Sequence, residues 1–157
     1  MERSAGSDHK RVRLLGLGNE LLADDAFGLI VARQAAERIP GLEVVCSSES
    51  GLALLDYLTG VSRLLIVDTI QTGRYVPGTL LEFNARELAA APAGAPHGAG
   101  LREALDLGQA LGLPLAGEVW VLAVEAADCT TIGGPVHPAV QAAIPAAVEW
   151  ILKAAGA

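Results

Sequence analysis

The chain has 157 residues and a formal net charge of −7, and 52% of its residues are apolar while only 18% are charged. This composition excludes a disordered chain and suffices for one domain that buries roughly 70% of its unfolded surface without disulfides or a structural metal. The negative charge disfavours nucleic acid as a partner, and no apolar run reaches the roughly 18 residues needed to cross a membrane.

Apolar runs of strand length alternate along the chain with amphipathic runs of helix length, which is typical of an α/β layer fold. Strands are predicted at residues 12–17, 42–46, 64–67, 79–83 and 118–124. Helices are predicted at residues 26–39, 52–58, 101–111 and 138–154, with a short turn near residues 85–90. The sequence therefore predicts a single-domain three-layer sandwich, with a mostly parallel twisted sheet of about five strands and helices on both faces.

Two segments fall outside this alternation. Residues 1–11 are polar, lack the apolar core of a secretory signal, and are predicted to form a flexible leader before a single domain at residues 12–157. Residues 89–100 are rich in Gly, Pro and Ala, which predicts a mobile surface loop. Cys46 and Cys129 have no CxxC spacing, so we expect reduced thiols in a cytoplasmic protein.

The first predicted strand ends in the glycine turn Gly16-Leu17-Gly18-Asn19, and the adjacent aspartates Asp24 and Asp25 follow it. A dinucleotide-binding turn has a third glycine where this chain has Leu21, and two aspartates at the start of a helix would repel a phosphate. The helix dipole instead favours ionised carboxylates at that position. The segment therefore indicates a cation site or an acid/base site. Because acidic residues also cap helices, we assign Asp24 to the helix cap and Asp25 to the site.

A third acid, Asp68, directly follows the aliphatic run Leu64-Leu65-Ile66-Val67. Its alternative role is a cap on the turn at residues 69–73. In the common doubly wound strand order 2-1-3, the first and third strands are neighbours about 5 Å apart. Asp25 and Asp68 would then meet at the topological switch point, the crevice in which open α/β sheets bind ligands.

His97 lies in the loop rich in Gly, Pro and Ala. A lone histidine in such a loop is more often solvated than functional, yet the loop permits His97 to approach the crevice. With Asp25 and Asp68 it would form an oxygen, oxygen and nitrogen ligand set that suits a borderline divalent metal such as nickel or zinc. Cys129 and His137 match no cysteine-protease signature, and His137 is predicted instead to begin the last helix.

Four ordered motifs in this chain resemble those of the nickel-iron hydrogenase maturation endopeptidases. They are Gly16-Leu17-Gly18-Asn19 with Asp24-Asp25 and Gly28, then Leu65-Ile66-Val67-Asp68, then Pro77-Gly78-Thr79, then Pro96-His97 with Gly100-Leu101. The resemblance covers nearly the whole chain after Val12. It implies a cytoplasmic peptidase that removes the C-terminal extension from the precursor of a hydrogenase large subunit after nickel has been inserted.

The resemblance also implies the site and the partners. Asp25, Asp68 and His97 are the expected metal-contacting and catalytic residues. The expected nickel is carried by the substrate, with no resident cofactor. The expected partner is the large-subunit precursor, with no nucleic acid and no membrane, and the expected state is a monomer.

One departure from that family concerns the segment after the second strand. Many relatives have an Asp-Gly-Gly-Thr-type loop there, whereas this chain has Cys-Ser-Ser-Glu-Ser-Gly at residues 46–51. We interpret the change as affecting the identity of the partner and not the type of reaction. Two alternatives stay open at this point, a nickel-checking chaperone that does not cut the precursor and a nucleotide-binding α/β domain. Whether nickel would act as a Lewis acid or only as a recognition element also stays open.

Overall fold

The computed structural model describes residues 11–86 and 100–156. Its strands are β1 (Val12–Leu17), β2 (Glu43–Ser47), β3 (Arg63–Ile70), β4 (Leu80–Asn84) and β5 (Glu118–Glu125). Its α-helices are α1 (Phe27–Arg38), α2 (Leu101–Ala110) and α3 (Pro138–Ala154), and two 3-10 helices span Ala23–Ala26 and Gly51–Tyr57. The predicted leader, apart from its last residue, and the predicted mobile loop up to residue 99 lie outside the described residues.

The described strands form one sheet in the order β2-β1-β3-β5-β4. The first four strands in that order are parallel, and β4 pairs with β5 in the antiparallel direction. The predicted adjacency of the first and third strands is confirmed, since Gly16 of β1 pairs with Val67 of β3. The carboxyl ends of β1 and β3 therefore meet at one edge of the sheet, where the chain switches direction between its two sides.

Alternate residues of the strands point to opposite faces of the sheet, as the two-residue period of a strand requires, and each face has its own hydrophobic core. Leu14 and Leu65 belong to the core shared with α1 and α3, whereas Leu15 and Ile66 belong to the core shared with α2 and the 3-10 helix Gly51–Tyr57. The predicted three-layer arrangement, with a mostly parallel sheet between helices, is confirmed. The near-continuous aliphatic sequences of β1 and β3 follow from burial on both faces.

Two predicted elements differ from the structure. The sequence predicts the third strand at residues 64–67, with Asp68 at its end, but β3 continues to Ile70 and Asp68 pairs with Ala123 inside the sheet. The strand continues because β5 supplies backbone partners as far as Glu125, a condition that the local sequence does not reveal. The segment predicted as a helix at residues 52–58 is a 3-10 helix, in which Leu54 is the buried residue.

The glycines near the first turn let α1 pack very closely on the sheet. A Cβ atom on Gly28 would lie 2.2 Å from the carbonyl oxygen of Leu17 and 2.5 Å from that of Val67. A Cβ atom on Gly16 would lie 2.6 Å from the carbonyl oxygen of Gly28. The start of α1 therefore rests directly on β1 and β3, and the preceding residues are held at the carboxyl edge of the sheet.

We expect Gly28→Ala to lower the free energy of unfolding by about 3 kcal/mol, because the new methyl group meets two backbone oxygens that have no room to move aside. Urea unfolding followed by circular dichroism measures the effect. Gly117→Ala is the matched control, since its new Cβ would have its nearest neighbour at 3.8 Å, an ordinary contact distance. Equal stability of the two variants would contradict the close-packing argument.

Candidate functional site

Among the described residues, four carboxylates are buried at the carboxyl edge of the sheet. They are Asp24, Asp25, Asp68 and Glu125, and each is at most 2% exposed. Asp24 and Asp25 lie in the 3-10 helix that follows β1, Asp68 lies near the end of β3, and Glu125 is the last residue of β5. Carboxylates are rarely buried in this way unless hydrogen bonds or cations compensate for the lost hydration. The partners of each carboxylate therefore show what it does.

Asp25 and Asp68 both contact one buried residue, Thr69, which directly follows Asp68 in the sequence. The backbone N–H of Thr69 donates to Oδ1 of Asp68 at 2.7 Å, and the hydroxyl of Thr69 donates to Oδ1 of Asp25 at 3.0 Å. Thr69 itself has no exposed surface. The structure thus places Asp25 and Asp68 at the switch point between β1 and β3, on two atoms of the same buried residue.

Asp24 has a different role from the one predicted for it. Its Oδ2 atom accepts the backbone N–H groups of Ala127 at 2.8 Å and Asp128 at 2.9 Å, and its Oδ1 atom accepts that of His137 at 2.6 Å. The predicted helix cap is wrong, because Ala26 precedes α1 and makes no side-chain cap hydrogen bond. An intervening 3-10 turn places Asp24 too early to cap α1, and Asp24 instead ties down the loop between β5 and α3.

His137 begins the last helix, as predicted. Its Nδ1 atom accepts the backbone N–H of Ala139 at 3.1 Å, and Pro138 occupies the first turn of α3. The Nδ1 atom is therefore engaged in helix capping. Cys129 is buried elsewhere in the same loop, with its Sγ atom 3.7 Å from Oγ1 of Thr69. The structure accordingly gives no support to a Cys129–His137 catalytic pair.

The surroundings of Cys129 keep its thiol protonated. Burial raises the pKa of Cys129 to about 11, and the negative charges of Asp25, Asp24 and Asp68 act in the same direction against the opposing hydrogen bond to Thr69. A thiol with such a pKa is neither a good nucleophile nor a good metal ligand at neutral pH. The local field that disfavours a thiolate is the same field that attracts a cation.

Glu125 was not identified from the sequence. Its Oε2 atom accepts the backbone N–H of Thr72 at 2.8 Å, and its Oε1 atom accepts the hydroxyl of the same residue. The backbone of Glu125 also accepts the N–H of Gly78 at 2.8 Å, so Glu125 holds both ends of the loop between β3 and β4. The available signal was an acid directly after the aliphatic run at residues 121–124, the pattern that drew attention to Asp68.

The rim of the site carries one further negative charge. The carboxylate of Asp128 accepts hydrogen bonds from the backbone and hydroxyl groups of Thr130 and Thr131. These bonds, with the hydroxyl of Thr131 as the largest contribution, lower the pKa of Asp128 from 3.8 to about 2. Asp128 therefore remains ionised at neutral pH.

The glycine turn after β1 is occupied by the chain itself. The backbone N–H of Gly18 donates to the carbonyl of Ser47, and that of Asn19 donates to the carbonyl of Asp25. A Cβ atom on Gly18 would lie 2.0 Å from the Asp25 carbonyl oxygen, so the glycine is needed for this approach of the chain's own backbone. The amides that would bind a pyrophosphate already have partners, and the nucleotide-binding alternative loses its basis.

The structure describes two of the three predicted metal ligands, Asp25 and Asp68. His97 lies outside the described residues, so the structure says nothing of its position. Within residues 11–86 and 100–156, no three His, Cys, Asp or Glu side chains are grouped to hold a metal ion. Asp25 and Asp68 are thus a pair of oxygen donors, a set suited to hard and borderline cations that needs further ligands from elsewhere.

Comparison with known proteins agrees with this fold. The family model HycI, described as hydrogenase maturation protease, matches residues 35–154. The chain belongs to the hydrogenase maturation protease family. This membership confirms that the protein is a peptidase and confirms the resemblance drawn from its motifs.

Solved structures and curated relatives cover most of this protease. The maturating endopeptidase HybD from Escherichia coli has a TM-score of 0.75 and 25% identity, covering 93% of this chain and 94% of its own. The [NiFe] hydrogenase maturation protease HybD from Thermococcus kodakarensis has a TM-score of 0.75 and 29% identity, and the match covers 92% of this chain and 99% of that protein. The hydrogenase expression/formation protein HupD from Rhodobacter capsulatus is 27% identical over 150 residues, covering 92% of this chain and 70% of its own length.

The helices of this protease do not meet the requirements of a membrane span in the part of the chain that the structure describes. No helix in the described part of the chain combines enough length and apolar character to cross a bilayer. The longest, α3, has 17 residues and includes Pro145 in its interior. Its buried residues pack against α1 and β5 instead.

We expect Asp24→Ala to lower the free energy of unfolding of the protease by about 3 kcal/mol, because three backbone N–H groups lose a charged acceptor in a buried position. Urea unfolding at neutral pH measures the loss. Asp56→Ala removes an exposed carboxylate of the 3-10 helix Gly51–Tyr57 and serves as the control, with little expected change. Equal stability of the two variants would show that Asp24 does not hold the loop between β5 and α3.

Proposed function

We propose that this protease removes the C-terminal extension from the precursor of a hydrogenase large subunit after nickel insertion, and that Asp25, Asp68 and His97 recognise the nickel carried by that substrate. The observation that carries the proposal is the pairing of Asp25 and Asp68 through Thr69 at the switch point of the sheet. Family membership supplies the protease activity. The buried pair supplies a place where a cation on the substrate can be bound.

The chemistry of the donors supports a cation borne by the substrate. Asp25 and Asp68 offer oxygen atoms, and the one buried thiol nearby, on Cys129, is held in its protonated form. Cysteine thiolates of the precursor would supply the soft ligands that nickel also accepts, while the protease adds oxygen and imidazole ligands. No resident cofactor is then required. A precursor without nickel would lack the charge that the buried carboxylates attract.

Peptide hydrolysis also requires a polarised carbonyl and an activated water molecule. With nickel bound as part of the substrate, Asp25 or Asp68 would act as the base that takes a proton from water, while the metal fixes the position of the scissile segment. Both carboxylates are withdrawn from bulk water, which strengthens their interaction with a nearby positive charge. This division of roles is supported by two buried carboxylates that both contact Thr69, and by the protonated state of the Cys129 thiol.

A cleft of about 320 Å³ adjoins this edge of the sheet and offers room for a peptide segment. It is lined by the turn after β1, by Leu29 and Arg33 of α1, and by residues 46–48 at the end of β2. Glu20 and Arg33 form an ion pair at 3.3 Å in its wall. Since the segment at residues 46–51 departs from the pattern of many relatives, we assign to this cleft the choice of client.

The nickel dependence can be tested with large-subunit precursor prepared with and without nickel. Mass spectrometry after incubation with the protease should show loss of a C-terminal peptide only from the nickel-loaded precursor. A stable complex in which the loaded precursor keeps its full mass would instead favour the non-proteolytic chaperone. Equal cutting of both preparations would contradict nickel recognition.

The site residues can be tested by Asp25→Asn, Asp68→Asn and His97→Ala. Each change should lower kcat/KM for the loaded precursor by about 100-fold or more, because each removes a donor or base from the reacting centre. Asp56→Asn, on the exposed 3-10 helix, is the control and should keep wild-type activity. Urea unfolding must show that the variants are folded, and full activity in all three site variants would discard the site.

A further inference from the structure

Thr69 makes a set of polar contacts that its place in a buried strand does not require. It is fully buried in β3, and its backbone N–H and hydroxyl reach the two site carboxylates at 2.7 and 3.0 Å. Its Oγ1 atom is also 3.7 Å from Sγ of Cys129. A threonine hydroxyl has one proton to donate and two lone pairs that accept, so the chemistry of its neighbours determines which of them it donates to and which it accepts from.

The direction of each hydrogen bond follows from the chemistry of the Asp25 carboxylate, the Thr69 hydroxyl and the Cys129 thiol. The carboxylate of Asp25 can only accept, so the hydroxyl proton of Thr69 is directed to it. Oγ1 of Thr69 is then available to accept the weak S–H donor of Cys129. The buried thiol thus occupies an acceptor site of Oγ1 and supports the orientation in which the hydroxyl donates to Asp25, and the branched Cβ of Thr69 limits the rotamers in which this is possible.

We propose that Thr69 is a positioning residue that holds Asp25 and Asp68 in one orientation relative to each other, with Cys129 orienting its hydroxyl. This inference rests on the proposed function, because it concerns the pair of carboxylates that would meet the substrate. A preset pair avoids the cost of ordering two side chains when the substrate arrives. Thr69 does not touch the substrate in this proposal and acts only through Asp25 and Asp68.

If Thr69 served only to pack the core, its shape would suffice and its hydroxyl would not be needed. Valine has nearly the same shape as threonine and suits a strand. The residue two positions earlier on the same face of β3 is Val67, and the register partner of Thr69 in β5 is Val124. Thr69→Val therefore keeps the packing and removes the hydroxyl. Thr69→Ser keeps the hydroxyl and removes a methyl group, so the two variants separate the polar role from the packing role.

The first measurement is kinetic, on nickel-loaded precursor. Thr69→Val should lower kcat by about 10-fold or more with KM changed less than about 3-fold, because an interaction that orients the reacting groups is lost while the docking surface is intact. Thr69→Ser should recover most of the wild-type kcat. Thr79→Val, which removes a hydroxyl that donates to the carbonyl of Val76, is the matched control and should behave as wild type.

The second measurement does not depend on cleavage. In the free protease, the carboxyl ¹³C resonance of Asp25 should shift or broaden in Thr69→Val and stay close to wild type in Thr69→Ser and Thr79→Val. If the wild-type protein fails to cut any precursor, the proposed function fails, and the resonance of Asp25 alone decides whether Thr69 positions it. Unchanged resonances in Thr69→Val, unchanged kcat, or equal impairment of the Ser and Val variants would each overturn the proposal.

Discussion

The close contact between the start of α1 and the sheet is the constraint on which this structure depends. Gly28 sits against the carbonyl oxygens of Leu17 and Val67, at distances that no side chain would permit. This contact joins β1, β3 and the helix at the switch point. The short 3-10 helix before α1 is thereby pressed onto the edge of the sheet, and Asp24 and Asp25 become buried there.

Burial divides the acidic residues of this edge into two groups with different consequences. Asp24 and Glu125 accept hydrogen bonds from backbone groups of distant loops and hold those loops in place. Asp25 and Asp68 are joined through Thr69 and form the pair of oxygen donors that a substrate cation would meet. The structural carboxylates thus shape the rim of the crevice, while the paired carboxylates are the ones to which the proposed function assigns its chemistry. The protonated thiol of Cys129 fits this arrangement because it adds no charge to an already negative site.

Much of the fold follows from local pattern. The strand and helix periods predicted the alternation of elements, and β1 and α3 begin and end where predicted. The right-handed, doubly wound strand order predicted that β1 and β3 are adjacent, and hence that Asp25 and Asp68 lie at the same edge of the sheet. The errors at the end of β3 and at Asp24 have one cause in common, which is dependence on distant segments. The end of β3 depends on the length of β5, and the role of Asp24 depends on amides up to 113 positions away.

The sequence by itself determined the α/β class, the edge of the sheet at which the acids gather, and the family whose motifs the chain carries. Those properties follow from periods of two and 3.6 residues and from glycines and acids at short, fixed spacing. Only the tertiary structure decided which carboxylates tie loops, as Asp24 and Glu125 do, and which two are joined through Thr69. The reason is physical: a buried carboxylate takes its role from the donors around it, and those donors come from segments that are far apart along the chain.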